Sequence, residues 1–138
     1  MAKAESIVVE TADRIFADLA DAQTINSAKD DNWKKPLWTA LADSGLPLSW
    51  LVEGHGVSGV TIADGFGGIS AAGRHALPVP LVETMLAGWI LSHAEIASPD
   101  GAMTIAPVSP KDRIEFSSEG TLSGRVRGIP FARDAAHM

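Results

Sequence analysis

The sequence predicts a mainly α-helical protein, in which about four helices are followed by a few β-strands of an incomplete β-domain. Three observations support this fold class. Apolar residues recur at helical spacing in four segments before Gly101, as they do on the buried face of an amphipathic helix. Beyond Gly101, apolar and polar residues alternate as in half-buried strands. So few strands leave their own sheet edges uncovered. We therefore expect a helical domain in residues 1–101 and only the beginning of a β-domain in residues 102–138.

Length, charge and cysteine content narrow the function classes. The 138 residues suit one core of ordinary size, and the net charge of −6 disfavours nucleic acid as a partner. The absence of cysteine excludes disulfides, thiolate zinc sites and cysteine nucleophiles. The N-terminus lacks the apolar core of a signal peptide, and the apolar segment from Leu81 to Ile96 contains charged residues and is too short to span a bilayer. We expect a cytoplasmic protein that binds no membrane.

Two helices are predicted before Gly45. The first runs from Ser6 to about Asp21, and its inward stripe consists of Val8, Ala12, Ile15 and Leu19, with Phe16 beside it. Residues 23–32 are polar and rich in turn formers, and they predict a loop. The second helix is predicted to begin near Trp33 to Pro36, because proline is tolerated in a first turn. Gly45 ends it, because glycine readily adopts the left-handed conformation that follows a helix.

A third helix is predicted after an apolar segment and a glycine-rich loop. The apolar residues of the segment, which we predict to be buried, are Leu46, Pro47, Leu48, Trp50 and Leu51. The helix begins at Thr61, whose hydroxyl can form a capping box with Asp64, and it ends at Gly73. Three interior glycines each cost about 1 kcal/mol relative to alanine; they are Gly65, Gly67 and Gly68. The helix therefore either packs closely against a neighbouring backbone or frays.

The fourth helix has the strongest apolar stripe. The stripe consists of Leu81, Val82, Met85, Leu86, Trp89 and Ile90. Leu91 widens it, which predicts a helix buried on most of its surface. Three strands are then predicted at Met103–Ile105, Arg113–Phe116 and Leu122–Phe131.

The segment Gly54-His-Gly-Val-Ser-Gly59 matches the G-x-G-x-x-G pattern of dinucleotide-binding loops. That fingerprint requires a preceding strand and a βαβ unit, whereas helices are predicted on both sides here. The glycines are better interpreted as a tight turn between two helices, since they lower the backbone strain of such a corner.

No residue of the chain is assigned a catalytic, cofactor-binding or metal-binding role from its pattern. The four histidines are His55, His75, His93 and His137. None pairs with another at the i, i+3 or i, i+4 spacing of a zinc site. No serine lies in the G-x-S-x-G motif of a hydrolase.

One part of the fourth helix has two interpretations. Met85 and Trp89 belong to the apolar stripe, which by periodicity alone predicts core residues. The functional interpretation is that Met85, Gly88 and Trp89 line an apolar ligand pocket, in which Gly88 leaves room for a chain to pass. Periodicity does not separate the two.

The order of these segments resembles the N-terminal region of acyl-CoA dehydrogenases over about residues 5–134. The resemblance rests on LWTALADSGL, the VEGHGVSG loop, VTIADGF and AAGRHALPVPLVETMLAGWILS. Family members typically have a Pro-Glu-x-x-Gly-Gly-x-Gly loop at this point. Glu53, Gly56 and Gly59 keep that pattern, and Val52 and Val57 depart from it.

The resemblance implies three domains, with FAD between the middle β-domain and a C-terminal helical bundle. A glutamate of the bundle removes the α-proton of an acyl-CoA while hydride passes to the flavin. This chain does not contain that base. Residues 106–112 lack the polar groups with which the family contacts flavin, and Gly128 and Pro130 stand where Trp and Thr often lie beside its ring. We therefore expect FAD in the complete enzyme and no stable flavin binding by this chain alone.

The expected function is that of a piece of an FAD-dependent acyl-CoA dehydrogenase. The piece forms a wall of the acyl-CoA pocket and part of the contacts in a homo- or hetero-oligomer, and it is inactive alone. The acyl group is that of a fatty acid or a steroid side chain. The alternative is a non-catalytic partner subunit or protein-interaction module that binds through an exposed apolar helix face.

Overall fold

The computed structural model of the chain describes residues 6–52 and 60–138. The interpretation of the glycine loop as a tight turn, and the family pattern at Glu53, Gly56 and Gly59, lie outside the described residues.

The described residues form a mainly helical structure with one small sheet, which confirms the predicted fold class. The helices are α1 (Ile7–Leu19), α2 (Ala22–Ser27), α3 (Lys34–Ser44), α4 (Ile62–Arg74) and α5 (Leu81–His93). Short 3-10 turns lie at Asp31–Trp33 and Leu46–Leu48. Strands β1 (Arg113–Phe116) and β2 (Leu122–Arg125) pair in an antiparallel hairpin.

Side-chain caps set the starts of α1 and α4 where the sequence predicted them, whereas α4 ends at Arg74, one residue beyond its predicted end at Gly73. The hydroxyl of Ser6 accepts a hydrogen bond from the backbone N–H of Val8 at 3.2 Å, at the start of α1. Thr61 and Asp64 form the predicted capping box at the start of α4. Gly45 follows α3 with φ of 73°, in the left-handed region that favours glycine.

The prediction of a loop over residues 23–32 is wrong in part, because α2 forms there. The Asp21 carboxylate accepts hydrogen bonds from the backbone N–H groups of Gln23 and Thr24 at 2.9 and 3.1 Å. The Thr24 hydroxyl donates a third bond of 2.5 Å to the same carboxylate. This hydroxyl bond and the backbone bonds lower the pKa of Asp21. A strong N-cap thus starts a helix in a segment whose apolar content predicted none.

Two of the three predicted strands differ from the structure. Met103–Ile105 is not a strand, since it makes only one isolated parallel bridge, between Met103 and His137. The predicted strand Leu122–Phe131 ends at Arg125. Beyond it, Gly128 has φ of 69°, and Pro130 lacks the N–H that a ladder requires.

The core lies where α1, α3, α4 and α5 meet. Its largest fully buried side chains belong to Phe16, Leu37, Leu41, Leu81 and Met85. Phe16, predicted to flank the stripe of α1, is instead at its centre and fully buried. Ile15 and Leu19 are only partly buried beside the core.

The apolar segment after α3 is buried only at its beginning. Leu46 and Pro47 are buried, Trp50 and Leu51 are half-buried, and Leu48 is exposed. The prediction that all five residues are buried is therefore wrong for Leu48. Leu46–Leu48 forms a 3-10 turn, and successive side chains of such a turn point in different directions.

The interior glycines of α4 are packed against side chains of neighbouring elements. A Cβ added at Gly65 would collide with the indole of Trp50, whose N–H donates a 3.3 Å bond to the Ile62 carbonyl. A Cβ at Gly68 would lie 2.7 Å from Cδ1 of Leu46. The predicted close approach is therefore present, and the neighbours are side chains rather than a backbone.

We expect alanine to destabilise the protein at Gly68 and to stabilise it at Gly73. At Gly68 the new methyl displaces buried Leu46, and overpacking of this kind costs about 1 to 3 kcal/mol. At Gly73 a Cβ meets nothing within 4 Å, so the gain in helix propensity of about 0.5 to 1 kcal/mol remains. Urea denaturation of Gly68→Ala and Gly73→Ala measures both changes. Equal shifts in the same direction would contradict this packing.

The fourth predicted helix, α5, is buried on one side only. Its buried residues are Leu81, Thr84, Met85, Ala87, Gly88 and Ser92. Four members of the predicted inward stripe are 37% to 47% exposed, namely Val82, Leu86, Trp89 and Ile90. The helix is apolar on nearly all sides, and part of that apolar surface faces solvent in this chain.

Candidate functional site

A buried threonine fixes the segment that follows α5 against the helix. The Thr84 hydroxyl accepts a hydrogen bond from the Met103 N–H at 2.9 Å. The hydroxyl lies 2.6 Å from the Pro80 carbonyl oxygen and 3.0 Å from that of Met103, and it can donate to either. Thr84 is 1% exposed, so these bonds form away from water. Residues 102–104 are thereby held beside α5 and are themselves buried.

The last residues of the chain pack on the other side of this segment. The Ala102 carbonyl accepts hydrogen bonds from the N–H groups of Ala136 and His137 at 2.8 and 3.2 Å. The Thr104 hydroxyl donates a 2.5 Å bond to the Pro130 carbonyl. Residues 130–137 therefore return to the helical part after the hairpin.

An ion pair ties the same return segment to the start of α3. Lys34 Nζ lies 2.9 Å from Asp134 Oδ1 and 3.0 Å from Asp31 Oδ1. Partial burial by itself lowers the pKa of Lys34, but the hydrogen bonds and charges of Asp134 and Asp31 outweigh it and leave that pKa raised. Lys34 therefore stays protonated at neutral pH.

The hairpin has one apolar face and one charged face. The register pairs Arg113 with Arg125 and Phe116 with Leu122. Because side chains alternate along a strand, the apolar face carries Ile114, Phe116 and Leu122. All eight strand residues are exposed, so within the described residues no other element covers either face of the sheet.

An apolar cleft separates α5 from the apolar face of the hairpin. Its volume is about 970 Å³. On the helical side it is lined by Ala87, Ile90 and Leu91, by Ile96, Ala97 and Pro99, and by residues 103–106. On the hairpin side it is lined by Ile114, Leu122, Val126 and Ile129. Arg125 and His137 also line it. A cleft of this size with few polar groups is suited to an apolar ligand or chain.

A smaller cavity of about 360 Å³ lies on the other side of residues 96–103. It is lined by residues of α3, the Leu46–Leu48 turn and α5, among them Trp38, Pro47 and Thr84. The buried hydroxyl of Ser98 also lines it and has no hydrogen-bond partner in the described part of the chain. Such a group favours a water or another polar group in the cavity.

The structure separates the three residues that the sequence offered as pocket candidates. Met85 is buried in the core. Gly88 does not line the smaller cavity either, although a Cβ there would lie 3.4 Å from Ser98 Oγ and 3.9 Å from Leu51 Cγ, both of which belong to residues that line it. Trp89 is 39% exposed and its ring lies 4.5 Å from that of His93. None of the three lines the larger cleft.

Sequence reasoning missed the residues that do line the larger cleft. Ile90 was placed in the inward stripe, and the hairpin residues were assigned to strands without a face. The sequence contained part of the signal for these residues. With Leu91, the apolar stripe of α5 is wider than the burial of one side of the helix requires. The fold of the return segment, which closes the cleft, has no local sequence signal.

The described histidines serve local contacts. His75 Nε2 lies 3.2 Å from Asp13 Oδ1, and its ring packs against Phe16. His137 Nε2 lies 3.0 Å from the Asp100 carbonyl oxygen. His55 lies outside the described residues. In the ranges 6–52 and 60–138, no group of three His, Asp or Glu residues could hold a metal ion, and no helix there is long and apolar enough to cross a membrane.

Comparison of the chain with protein families, curated proteins and solved structures finds no match.

Proposed function

We propose that this chain is part of an FAD-dependent acyl-CoA dehydrogenase, in which it forms one wall of the acyl-CoA pocket. The observation that supports this proposal is the apolar cleft of about 970 Å³ between α5 and the hairpin. The cleft lies on the segment AAGRHALPVPLVETMLAGWILS and the residues after it, where the sequence resembles that family. The chain is inactive alone, and the rest of the pocket comes from other polypeptide surface in a homo- or hetero-oligomer.

The chemistry of the cleft favours an acyl chain as its occupant. Ile90 and Leu91 face Ile114 and Leu122 across it, and burial of each methylene contributes about 0.8 kcal/mol. The cationic or titratable side chains that line the cleft are those of Arg125 and His137. Such a site holds and orients a chain, and it leaves proton abstraction to a base elsewhere in the assembly.

We propose no flavin site for the described residues. Residues 126–131 would present mainly aliphatic side chains, glycine and proline to a flavin ring. A Cβ on Gly128 would meet no atom within 4 Å. FAD is therefore proposed for the complete enzyme only, and no step of the reaction is derived for this chain.

Binding of octanoyl-CoA and of free coenzyme A, measured by calorimetry, tests the proposal. We expect octanoyl-CoA to bind at least about tenfold more tightly, because several methylenes become buried. Ile90→Asp places a charge in the cleft and should abolish this difference. Leu86→Asp is the matched control, since Leu86 is similarly exposed on α5 but does not line the cleft. Equal affinities of the two ligands for the unaltered chain would overturn the proposal.

The second candidate is a non-catalytic partner subunit or interaction module. It is favoured by the exposed apolar residues Val82, Leu86 and Trp89 on α5, since a contiguous exposed apolar surface often marks a protein interface. In sedimentation experiments this candidate predicts that Leu86→Asp dissociates an oligomer of the chain. If that variant dissociates the oligomer while octanoyl-CoA does not bind, the second candidate is supported over the first.

A further inference from the structure

Four basic side chains converge on one surface of the hairpin. We call this surface the basic face and define it as Lys111, Arg113, Arg125 and Arg127. The register sets Arg113 opposite Arg125, while Lys111 lies in the turn before β1 and Arg127 just after β2. All four line one open cleft of about 800 Å³, together with Ser109, Asp112 and Gly124. In the sequence these residues form two separate pairs, Lys111 with Arg113 and Arg125 with Arg127.

In the ranges 6–52 and 60–138, no salt bridge neutralises the cations of the basic face. The salt bridges found among the described residues involve Lys34, Arg74 and His75 only. The one acidic group in this cleft is Asp112, and its carboxylate accepts a 2.8 Å hydrogen bond from the Ser109 N–H within its own turn. Like charges directly opposite on neighbouring strands destabilise a hairpin. The arrangement of Arg113 and Arg125 therefore costs stability unless an anion lies between them.

The basic face lies in the part of the chain where basic residues are not outnumbered by acidic ones. Residues 1–100 contain six Lys or Arg and thirteen Asp or Glu, whereas residues 101–138 contain five and four. Glu115 follows Arg113 on the same face of β1, so the cationic surface ends there. The surface is thus short, and the rest of the chain repels a long polyanion.

We propose that the basic face binds a small molecule that carries at least two phosphate groups. Arginine guanidinium groups donate paired hydrogen bonds that match phosphate oxygens. Four cations around one open cleft supply enough positive charge for two phosphate groups. The short cationic surface favours this ligand over nucleic acid or an acidic protein. The basic face shares Gly124 and Arg125 with the lining of the apolar cleft, but the proposal does not depend on that cleft binding an acyl chain.

Titration of the isotopically labelled full chain with inorganic pyrophosphate, followed by NMR, tests the proposal. We expect saturable shifts of the amide signals of residues 109–113 and 124–127. Arg113→Gln with Arg125→Gln should weaken binding by at least about tenfold. The control removes two remote cations, Arg14→Gln with Lys29→Gln, and should leave the affinity unchanged. Without ligand, the Arg113 and Arg125 double variant should melt at the same temperature as the unaltered chain or higher, because a like-charge pair is removed.

Three outcomes would overturn the proposal. The first is a set of shifts that does not saturate or that spreads over all the Lys and Arg residues of the chain. The second is equal affinity in the Arg113 and Arg125 double variant. The third is tighter binding of an acidic peptide or of single-stranded DNA than of pyrophosphate, which would assign the face to a macromolecule.

Discussion

Replacement of Phe16 by alanine is expected to lower the free energy of unfolding by about 3 to 5 kcal/mol, the range for a large aromatic side chain removed from a core. Phe16 is 0% exposed and lies where α1 meets α3 and α4. Its ring also packs against that of His75 at 5.7 Å. The cavity left behind cannot close without moving several helices, so most of the packing energy is lost.

The measurement is urea denaturation followed by far-ultraviolet circular dichroism, with Phe116→Ala as the matched control. Phe116 is 74% exposed on the hairpin, and the same substitution there should change stability by no more than about 0.5 kcal/mol. Similar losses at both positions would contradict the assignment of the core to the helical part.

Thr84→Val is expected to lower the free energy of unfolding by about 1 to 3 kcal/mol, the cost of leaving a buried backbone donor without its partner. Valine keeps the shape of threonine but removes the hydroxyl that accepts from the Met103 N–H. It also removes the donor near the carbonyl oxygens of Pro80 and Met103. Residues 102–104 lose their main polar connection to α5.

Hydrogen exchange and denaturation together test this change. The amide of Met103 should exchange much faster in Thr84→Val than in the unaltered chain, while amides within α1 change less. Thr39→Val is the control, since the exposed Thr39 hydroxyl donates only to the Lys35 carbonyl at 3.0 Å within α3. An unchanged Met103 amide in Thr84→Val would show that the threonine does not hold this segment.

The helices could be predicted because their signals are local. Periodicity located α1, α3, α4 and α5. The starts of α1 and α4 followed from side-chain caps and the end of α3 from Gly45, whose chemistry acts within a few residues. The same local chemistry also explains the one missed helix, since Asp21 caps α2 in a segment with little apolar content. The low apolar content of this segment predicted a loop, and the strength of the Asp21 cap was underestimated.

The parts that could not be predicted depend on contacts between distant residues. Thr84 reads as one polar residue in an apolar helix, and nothing nearby indicates that it binds residue 103. The return of residues 130–137 to the helical part rests on Thr104 and on the Lys34 to Asp134 ion pair, which join positions far apart in the chain. Local patterns contain no information on such pairings.

The candidate site also could be predicted only where its signals are local in the sequence. The sequence predicted that α5 is buried on most of its surface, which is wrong in this chain, because one side of the helix is exposed. Periodicity could not decide which of its apolar residues face a cavity. The structure places Met85 in the core and Ile90 in the cleft. The basic face was missed because Lys111 and Arg113 join Arg125 and Arg127 only when the hairpin forms.

The most direct test of the acyl-pocket proposal is hydrogen exchange of the full chain with and without saturating octanoyl-CoA. We predict slower exchange at Ala87, Ile90 and Leu91 of α5 and in residues 104–106, which line the cleft. Residues of α4 should be unaffected, since none of them lines that cleft. Protection confined to residues 109–113 and 124–127, or to α4, would place the ligand elsewhere and contradict the assignment of the cleft as an acyl-chain pocket.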